Sequence, residues 1–336
     1  MDQQFDMALM QYLADHRLPW LTPLVQLASH LGEVQGYVLV VTLFYVMFDK
    51  TLAVRLSVLV LLAMSLNHIL KIVVKNPRPF VGEGTYFEKW AVSADNAKEL
   101  ATEYSTPSGH AMAGSAFYTY LYAAVRNRWI RVAAVLAIVL TGLSRPYLGV
   151  HYLEDILLGW PIGLSVALVA IRYAGRISRW WDGLSYVQQI TLAVSASVIL
   201  WAATVAINGW RIDAQPRAFL GYAGFLTGIL IGRPLELKRL NFDPRSGRWP
   251  VKITRFALSV VLVTVTLELL RGAFAAIADE SSLAGYGLQY VRYTAAGVAS
   301  IYIVPLLFTR IGLAQAFLEA VPAGLDTVAH GSGRVG

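Results

Sequence analysis

The sequence predicts an all-α fold: a polytopic transmembrane helical bundle of about nine spans, preceded by N-terminal interfacial helices. Composition is the first indication, because 56% of the 336 residues are hydrophobic and only 15% are charged. The mean hydropathy is +0.53, and a soluble domain of this length would carry more charge. Long apolar runs that recur between short polar loops are the second indication.

The elements follow in chain order. Residues 5–30 are amphipathic and interrupted by Pro19 and Pro23, which predicts interfacial helices, with a membrane span as the alternative. Nine later stretches approach the roughly 20 residues that a span requires. They cover residues 33–48, 52–74, 108–125, 130–147, 152–173, 187–207, 215–232, 253–277 and 289–309.

The net charge of +7 lies mainly in loops on one predicted side of the membrane. Residues 126–131 and 233–255 are basic, whereas residues 80–106 and 278–287 are mostly acidic or neutral. The positive-inside rule then places the amino end outside and the carboxyl end inside. It accounts for the basic residues, so we expect no nucleic-acid partner. We expect a multi-pass protein of a bacterial inner membrane, whose polar motifs all face the periplasm.

A break in the apolar pattern near residues 175–186 predicts the domain organisation. Residues 1–32 would be interfacial helices, 33–174 a five-span core, 186–320 a four-span region of unknown role, and 321–336 a tail. The chain has no cysteine, which excludes disulfides, thiolate catalysis and cysteine-ligated metals.

Pro107-Ser108-Gly109-His110 opens the third predicted span. Ser108 is a good N-cap, and Gly109 allows a ligand to approach the backbone. The free N–H groups of a helix start suit a phosphate, and His110 would lie beside that anion. Taken alone, this tetrapeptide favours the alternative of a plain capped helix with an incidental histidine.

His151 and Asp155 are spaced i, i+4 at the start of the fifth predicted span, so they share a helix face. The carboxylate can fix the imidazole tautomer and leave Nε2 as a nucleophile. A structural helix-start pair and two metal ligands are the alternatives. A metal would need a third ligand and would be repelled by nearby arginines.

Lys71, Arg78 and Arg145 lie at the ends of apolar segments. The guanidinium group of arginine can donate two parallel hydrogen bonds to phosphate oxygens, and fixed cations stabilise the charge of a phosphoryl transition state. The alternative is contact with lipid headgroups, which is the usual role of basic residues at span ends.

Together the three stretches resemble the three-part pattern of the type 2 phosphatidic acid phosphatase superfamily: K-x6-R-P, P-S-G-H and S-R-x5-H-x3-D. Every motif position is present, over roughly residues 15–172. The resemblance implies that His151 is a nucleophile forming a phosphohistidine, that Asp155 orients it and that His110 is the general acid and base. It implies a reaction without metal or cofactor. The phosphate-binding residues implied are Lys71, Arg78, Ser108, Gly109 and Arg145.

The predicted function is hydrolysis of a lipid phosphate or diphosphate by an integral-membrane enzyme. Undecaprenyl diphosphate is the first expected substrate, followed by phosphatidic acid and phosphatidylglycerol phosphate. One alternative is a phosphotransferase that passes the same phosphohistidine group to a lipid or glycan. Another is a lipid-phosphate sensor or transport-associated protein without catalysis. The predicted partners are the lipid substrate and the bilayer.

Overall fold

The computed structural model describes residues 3–79, 100, 103–212 and 214–315, and no strand occurs within these ranges. The predicted all-α class is confirmed. The predicted tail 321–336 and most of the 80–106 loop lie outside the described residues. The helices are α1 (Gln3–Asp15), α2 (Thr22–His30), α3 (Val34–Met47), α4 (Lys50–Val74), α5 (Gly109–Ala124), α6 (Arg128–Leu148), α7 (Leu153–Asp182), α8 (Tyr186–Ile207), α9 (Ala214–Arg239), α10 (Trp249–Ala275), α11 (Leu283–Val298) and α12 (Val304–Arg310), with a π-helical turn at Ala299–Ile303 joining the last two.

Among the described residues, six helical segments are long and apolar enough to cross a membrane, so the predicted count of nine is not confirmed. They are α4, α6, α7, α8, α10 and the continuous segment Leu283–Arg310. The other predicted spans differ in length or charge. α3 and α5 have 14 and 16 residues, or about 21 and 24 Å of helix, which is short of a hydrocarbon core of about 30 Å. α9 has 26 residues, but its last two turns include Arg233, Glu236, Lys238 and Arg239.

α5 is packed by α4, α6 and α7. Small side chains allow this, since Ala111, Ala113 and Ala116 are completely buried. A Cβ on Gly163 of α7 would lie only 2.1 Å from the carbonyl oxygen of Met112. This close approach brings the first turn of α5 against the third turn of α7.

The second half of the chain packs on α3 and α4. Within it, α9 and α11 approach closely through glycines, because a Cβ on Gly228 would lie 2.2 Å from the carbonyl oxygen of Thr294. A polar link joins the two halves: Lys50 Nζ donates to Glu236 Oε1 at 2.8 Å and to Asn241 Oδ1 at 2.7 Å. Arg245 Nε also donates to the Phe48 carbonyl at 3.1 Å.

α1 and α2 lie against α6. Arg17 Nε donates to the Tyr147 carbonyl at 3.1 Å, and Thr22 Oγ1 lies 3.2 Å from the Tyr147 hydroxyl. With 13 and 9 residues, neither helix has the length of a span. The division into four regions predicted from sequence stays a prediction.

Candidate active site

The predicted site residues lie at one end of the bundle formed by α4 to α7. Lys71 is in the last turn of α4, Arg145 is in the last turn of α6, and Ser108 is the N-cap of α5. His151 lies in the short connection between α6 and α7, and Asp155 is in the first turn of α7. Three motifs far apart in sequence therefore converge because each lies where a helix begins or ends.

His151 and Asp155 form the pair that their spacing predicts, with His151 Nδ1 3.1 Å from Asp155 Oδ2. The carboxylate is completely buried. It also accepts hydrogen bonds from the Tyr152 backbone N–H, at 3.0 Å, and from the hydroxyls of Ser105 and Thr106. These donors fix the carboxylate, which in turn fixes the imidazole ring.

The other ring nitrogen of the His151 side chain faces a cation. Arg78 Nη1 lies 3.0 Å from His151 Nε2 and donates to the Val150 carbonyl at 3.0 Å. With Nδ1–H donating to Asp155, Nε2 carries the lone pair that accepts from Arg78. Burial first, and then the charge of Arg78, lowers the pKa of His151 well below its ordinary value, so the imidazole is neutral near pH 7.

Lys71 and Arg78 converge on one carboxylate oxygen. Glu103 Oε2 lies 2.9 Å from Lys71 Nζ and 3.2 Å from Arg78 Nη2. Both cations are buried, whereas the Glu103 side chain is 36% exposed. Burial alone would raise the pKa of Glu103, but the charges of Lys71 and Arg78 outweigh it and hold that pKa well below its usual range. In this structure the Glu103 carboxylate is therefore bound to Lys71 and Arg78.

Arg145 and His110 have different neighbours, from the end of α2 and the turn after it. Arg145 Nη1 donates to Ser29 Oγ at 2.7 Å. His110 Nε2 lies 3.9 Å from Glu33 Oε1, which is longer than a hydrogen bond. Arg145 Nε and His110 Nε2 are buried and have no hydrogen-bond partner among the described residues. Each could therefore still bind a ligand oxygen.

Ser108 has a structural task at the start of α5. Its hydroxyl accepts from the Ala111 N–H at 3.5 Å, and its own N–H donates to the Asp155 carbonyl at 3.1 Å. The preceding turn is fixed by Asn67, whose Nδ2 donates to the Pro107 carbonyl at 2.9 Å. A Cβ on Gly109 would lie 3.1 Å from Asn67 Oδ1, so glycine allows this close approach. Ser108 and Gly109 thus build the helix start whose N–H groups were predicted to bind phosphate.

Sequence reasoning missed five residues whose side chains contact the side chains of the predicted site residues. Ser105 and Thr106 directly precede the P-S-G-H tetrapeptide. Two adjacent hydroxyl side chains next to a motif could have been recognised as possible hydrogen-bond donors to the site. The other three lie far in sequence from their partners, and no local pattern marks them. They are Ser29, Glu33 and Glu103.

Two family models match this chain. The model described as the PAP2 superfamily matches residues 52–179. The model described as the PAP2 superfamily phosphatase, transmembrane extension, matches residues 220–316. The first range contains every residue predicted for the site, and the second falls in the half of the chain whose role the motifs do not describe.

Curated relatives are similar over different lengths. Human sphingosine-1-phosphate phosphatase 2 is 25% identical over 322 residues, covering 86% of this chain and 78% of that protein. The undecaprenyl-diphosphatase of Sulfolobus acidocaldarius is 26% identical over 171 residues, covering 50% of this chain and 78% of that protein. Among solved structures, the chain is similar to the PAP2-type phosphatidylglycerolphosphate phosphatase of Bacillus subtilis, with 23% sequence identity and a TM-score of 0.41. The match includes 52% of this chain and 87% of that structure's chain.

Proposed function

Because this chain belongs to the PAP2 superfamily and is a membrane lipid phosphatase of that type, we propose that it acts through a phosphohistidine on His151. His151 Nε2 attacks phosphorus, and the bond between phosphorus and the lipid oxygen breaks. His110 donates a proton to the departing oxygen, which leaves as an alcohol or, from a diphosphate, as a lipid phosphate. A water molecule then gives a proton to His110 and attacks the phosphohistidine, which releases phosphate and restores His151.

The arrangement of Asp155, His151 and Arg78 is the observation that carries this proposal. Asp155 holds Nδ1 at 3.1 Å, and the lowered pKa of His151 keeps Nε2 unprotonated. Lys71 and Arg78 place two positive charges beside that nitrogen and already bind the Glu103 carboxylate. A phosphoryl group would take the place of this carboxylate and gain the same donors, because both are oxyanions.

The proposed substrate is a phosphate monoester or diphosphate of a membrane lipid. Undecaprenyl diphosphate remains a candidate, and a relative named undecaprenyl-diphosphatase matches 50% of this chain. Sphingosine 1-phosphate joins it, because the sphingosine-1-phosphate phosphatases match both halves. We place the reaction on the face opposite the basic loops, which in a bacterial inner membrane is the periplasmic side.

Phosphate release from purified protein tests the proposal. The panel contains undecaprenyl diphosphate, sphingosine 1-phosphate, phosphatidic acid and phosphatidylglycerol phosphate, each with and without a chelator. Release that needs no acceptor, survives the chelator and is stopped by His151→Ala supports the proposal. Turnover only with an added lipid or glycan acceptor would make the protein a phosphotransferase. Loss of activity with the chelator would contradict the metal-independent scheme.

A further inference from the structure

The turn between α2 and α3, residues 31–33, lies directly against the His110 ring. A Cβ on Gly32 would lie 2.9 Å from His110 Cδ2 and 3.2 Å from His110 Cβ, so only glycine fits here without displacement. The turn is anchored by the Tyr118 hydroxyl, which donates to the Leu31 carbonyl at 2.8 Å. Residues 31–33 precede residues 52–179, which the PAP2 family model matches. The match to that family model therefore does not include this turn.

Glu33 places a carboxylate between two imidazoles. Its Oε2 lies 2.7 Å from Nδ1 of His30, and its Oε1 lies 3.9 Å from Nε2 of His110. The nearby His110 and then His30 hold the pKa of Glu33 below its usual range, at about 2, so the carboxylate is ionised near neutral pH. A shift of about 1 Å would bring Oε1 within hydrogen-bond distance of Nε2.

His110 otherwise faces positive charge. Burial first, and then the charge of Arg145 on α6, lowers the pKa of His110 to about 3, and Arg78 adds to this shift, whereas the Glu33 carboxylate opposes it. The neighbouring Lys71 is paired with Glu103, and His151 is neutral. A general acid must carry its proton at the working pH. A negative charge beside His110 favours this protonated form, and the Glu33 carboxylate supplies one at 3.9 Å from Nε2.

We propose that Glu33 is a positioning residue for His110, holding the ring and favouring the protonated form that donates to the leaving oxygen. This inference rests on the proposed function, because it presupposes that His110 is the general acid. It adds the α2–α3 turn to the active site. Glu33 itself touches neither the phosphoryl group nor the leaving oxygen, and its effect passes through His110.

A double-mutant cycle on purified protein tests this role, using the lipid phosphate that the wild type hydrolyses fastest. The variants are Glu33→Gln, His110→Ala and the two combined. We expect kcat to fall on the order of 10-fold to 100-fold in Glu33→Gln, within the range that general acid catalysis supplies. In the His110→Ala background the second substitution should change kcat by less than about 2-fold, since residues that act through one another are not additive.

Controls separate positioning from folding. Glu280→Gln removes a charge from the loop before α11 and should leave kcat unchanged. The inhibition constant of vanadate should stay within about 2-fold of the wild type in Glu33→Gln, because Lys71 and Arg78 are untouched. If Glu33→Gln does not fold, Glu33→Asp retains the charge but shortens its reach, and the same comparison with His110→Ala applies.

Two results would overturn the inference. One is an unchanged kcat in Glu33→Gln; the other is a loss that is equally large with and without His110. Failure of the proposed function would look different, because the wild type would release no phosphate or His110→Ala would be fully active.

Discussion

Replacing Glu103 by glutamine should tighten the binding of phosphate and vanadate, because substrate and the Glu103 carboxylate compete for Lys71 and Arg78. The carboxylate oxygen lies 2.9 Å from the lysine and 3.2 Å from the arginine. A hydrogen bond to a charged group contributes about 1 kcal/mol more than a neutral one. Two such bonds give about 2 kcal/mol, or roughly 30-fold in affinity.

Solvent reduces this figure, since the Glu103 side chain is 36% exposed and exposed charges are screened. We therefore expect the inhibition constant of vanadate to fall by about 5-fold to 30-fold in Glu103→Gln. The assay is inhibition of phosphate release by vanadate and by inorganic phosphate, at low and high salt. Glu103→Asp is the matched control: it keeps the negative charge and should stay within about 3-fold of the wild type.

A higher inhibition constant in Glu103→Gln would refute this reasoning. It would mean that the carboxylate orients Lys71 and Arg78 for the substrate and does not compete with it. Equal changes in the glutamine and aspartate variants would point to packing of the 103–106 segment, because only one of the two variants removes charge.

Three further predictions concern His151, its pH dependence and the link between the two halves. His151→Ala should abolish phosphohistidine formation, measured with radiolabelled substrate, and Asp155→Asn should lower kcat by at least about 100-fold. The pKa of His151 is lowered by burial and then by Arg78. Its unprotonated form therefore persists as the pH falls, and the acid limb of kcat/KM, corrected for substrate ionisation, should lie below the ordinary histidine value of about 6.5. Lys50→Met removes one partner of the completely buried Glu236. Because Arg233 remains paired with it, a loss of about 1–3 kcal/mol in unfolding free energy is expected, with the exposed Lys238→Met as the control in thermal denaturation.

The sequence was informative wherever function depends on helix ends. The i, i+4 spacing of His151 and Asp155 predicts their pairing, and the observed 3.1 Å contact agrees. Ser108 was predicted as an N-cap, and it is one. Both inferences are local, because a single turn of helix determines which side chains are neighbours. The catalytic and binding roles of these residues remain predictions.

Long-range contacts were not predictable in the same way. Glu33 meets His110 only because the α2–α3 turn packs on α5, and Glu103 meets Lys71 through a segment more than 30 residues later. The predicted count of nine spans is not confirmed, because apolarity alone does not separate a span from a buried helix. α5 is an example. Its apolar residues are buried by neighbouring helices, and its 16 residues are fewer than a membrane span requires.

The second half of the chain contacts both ends of α4, the helix that carries Lys71. Near the site, the His68 ring on α4 lies 6.1 Å from the Phe219 ring on α9, and His68 is one turn before Lys71. At the other end of α4, Lys50 is bonded to Glu236 and Asn241. A helix held at both ends by the same neighbour cannot shift without breaking these contacts. Since α4 carries Lys71, which pairs with Glu103, these contacts hold one of the proposed phosphate-binding cations in place, while the second half contributes no residue to the proposed chemistry.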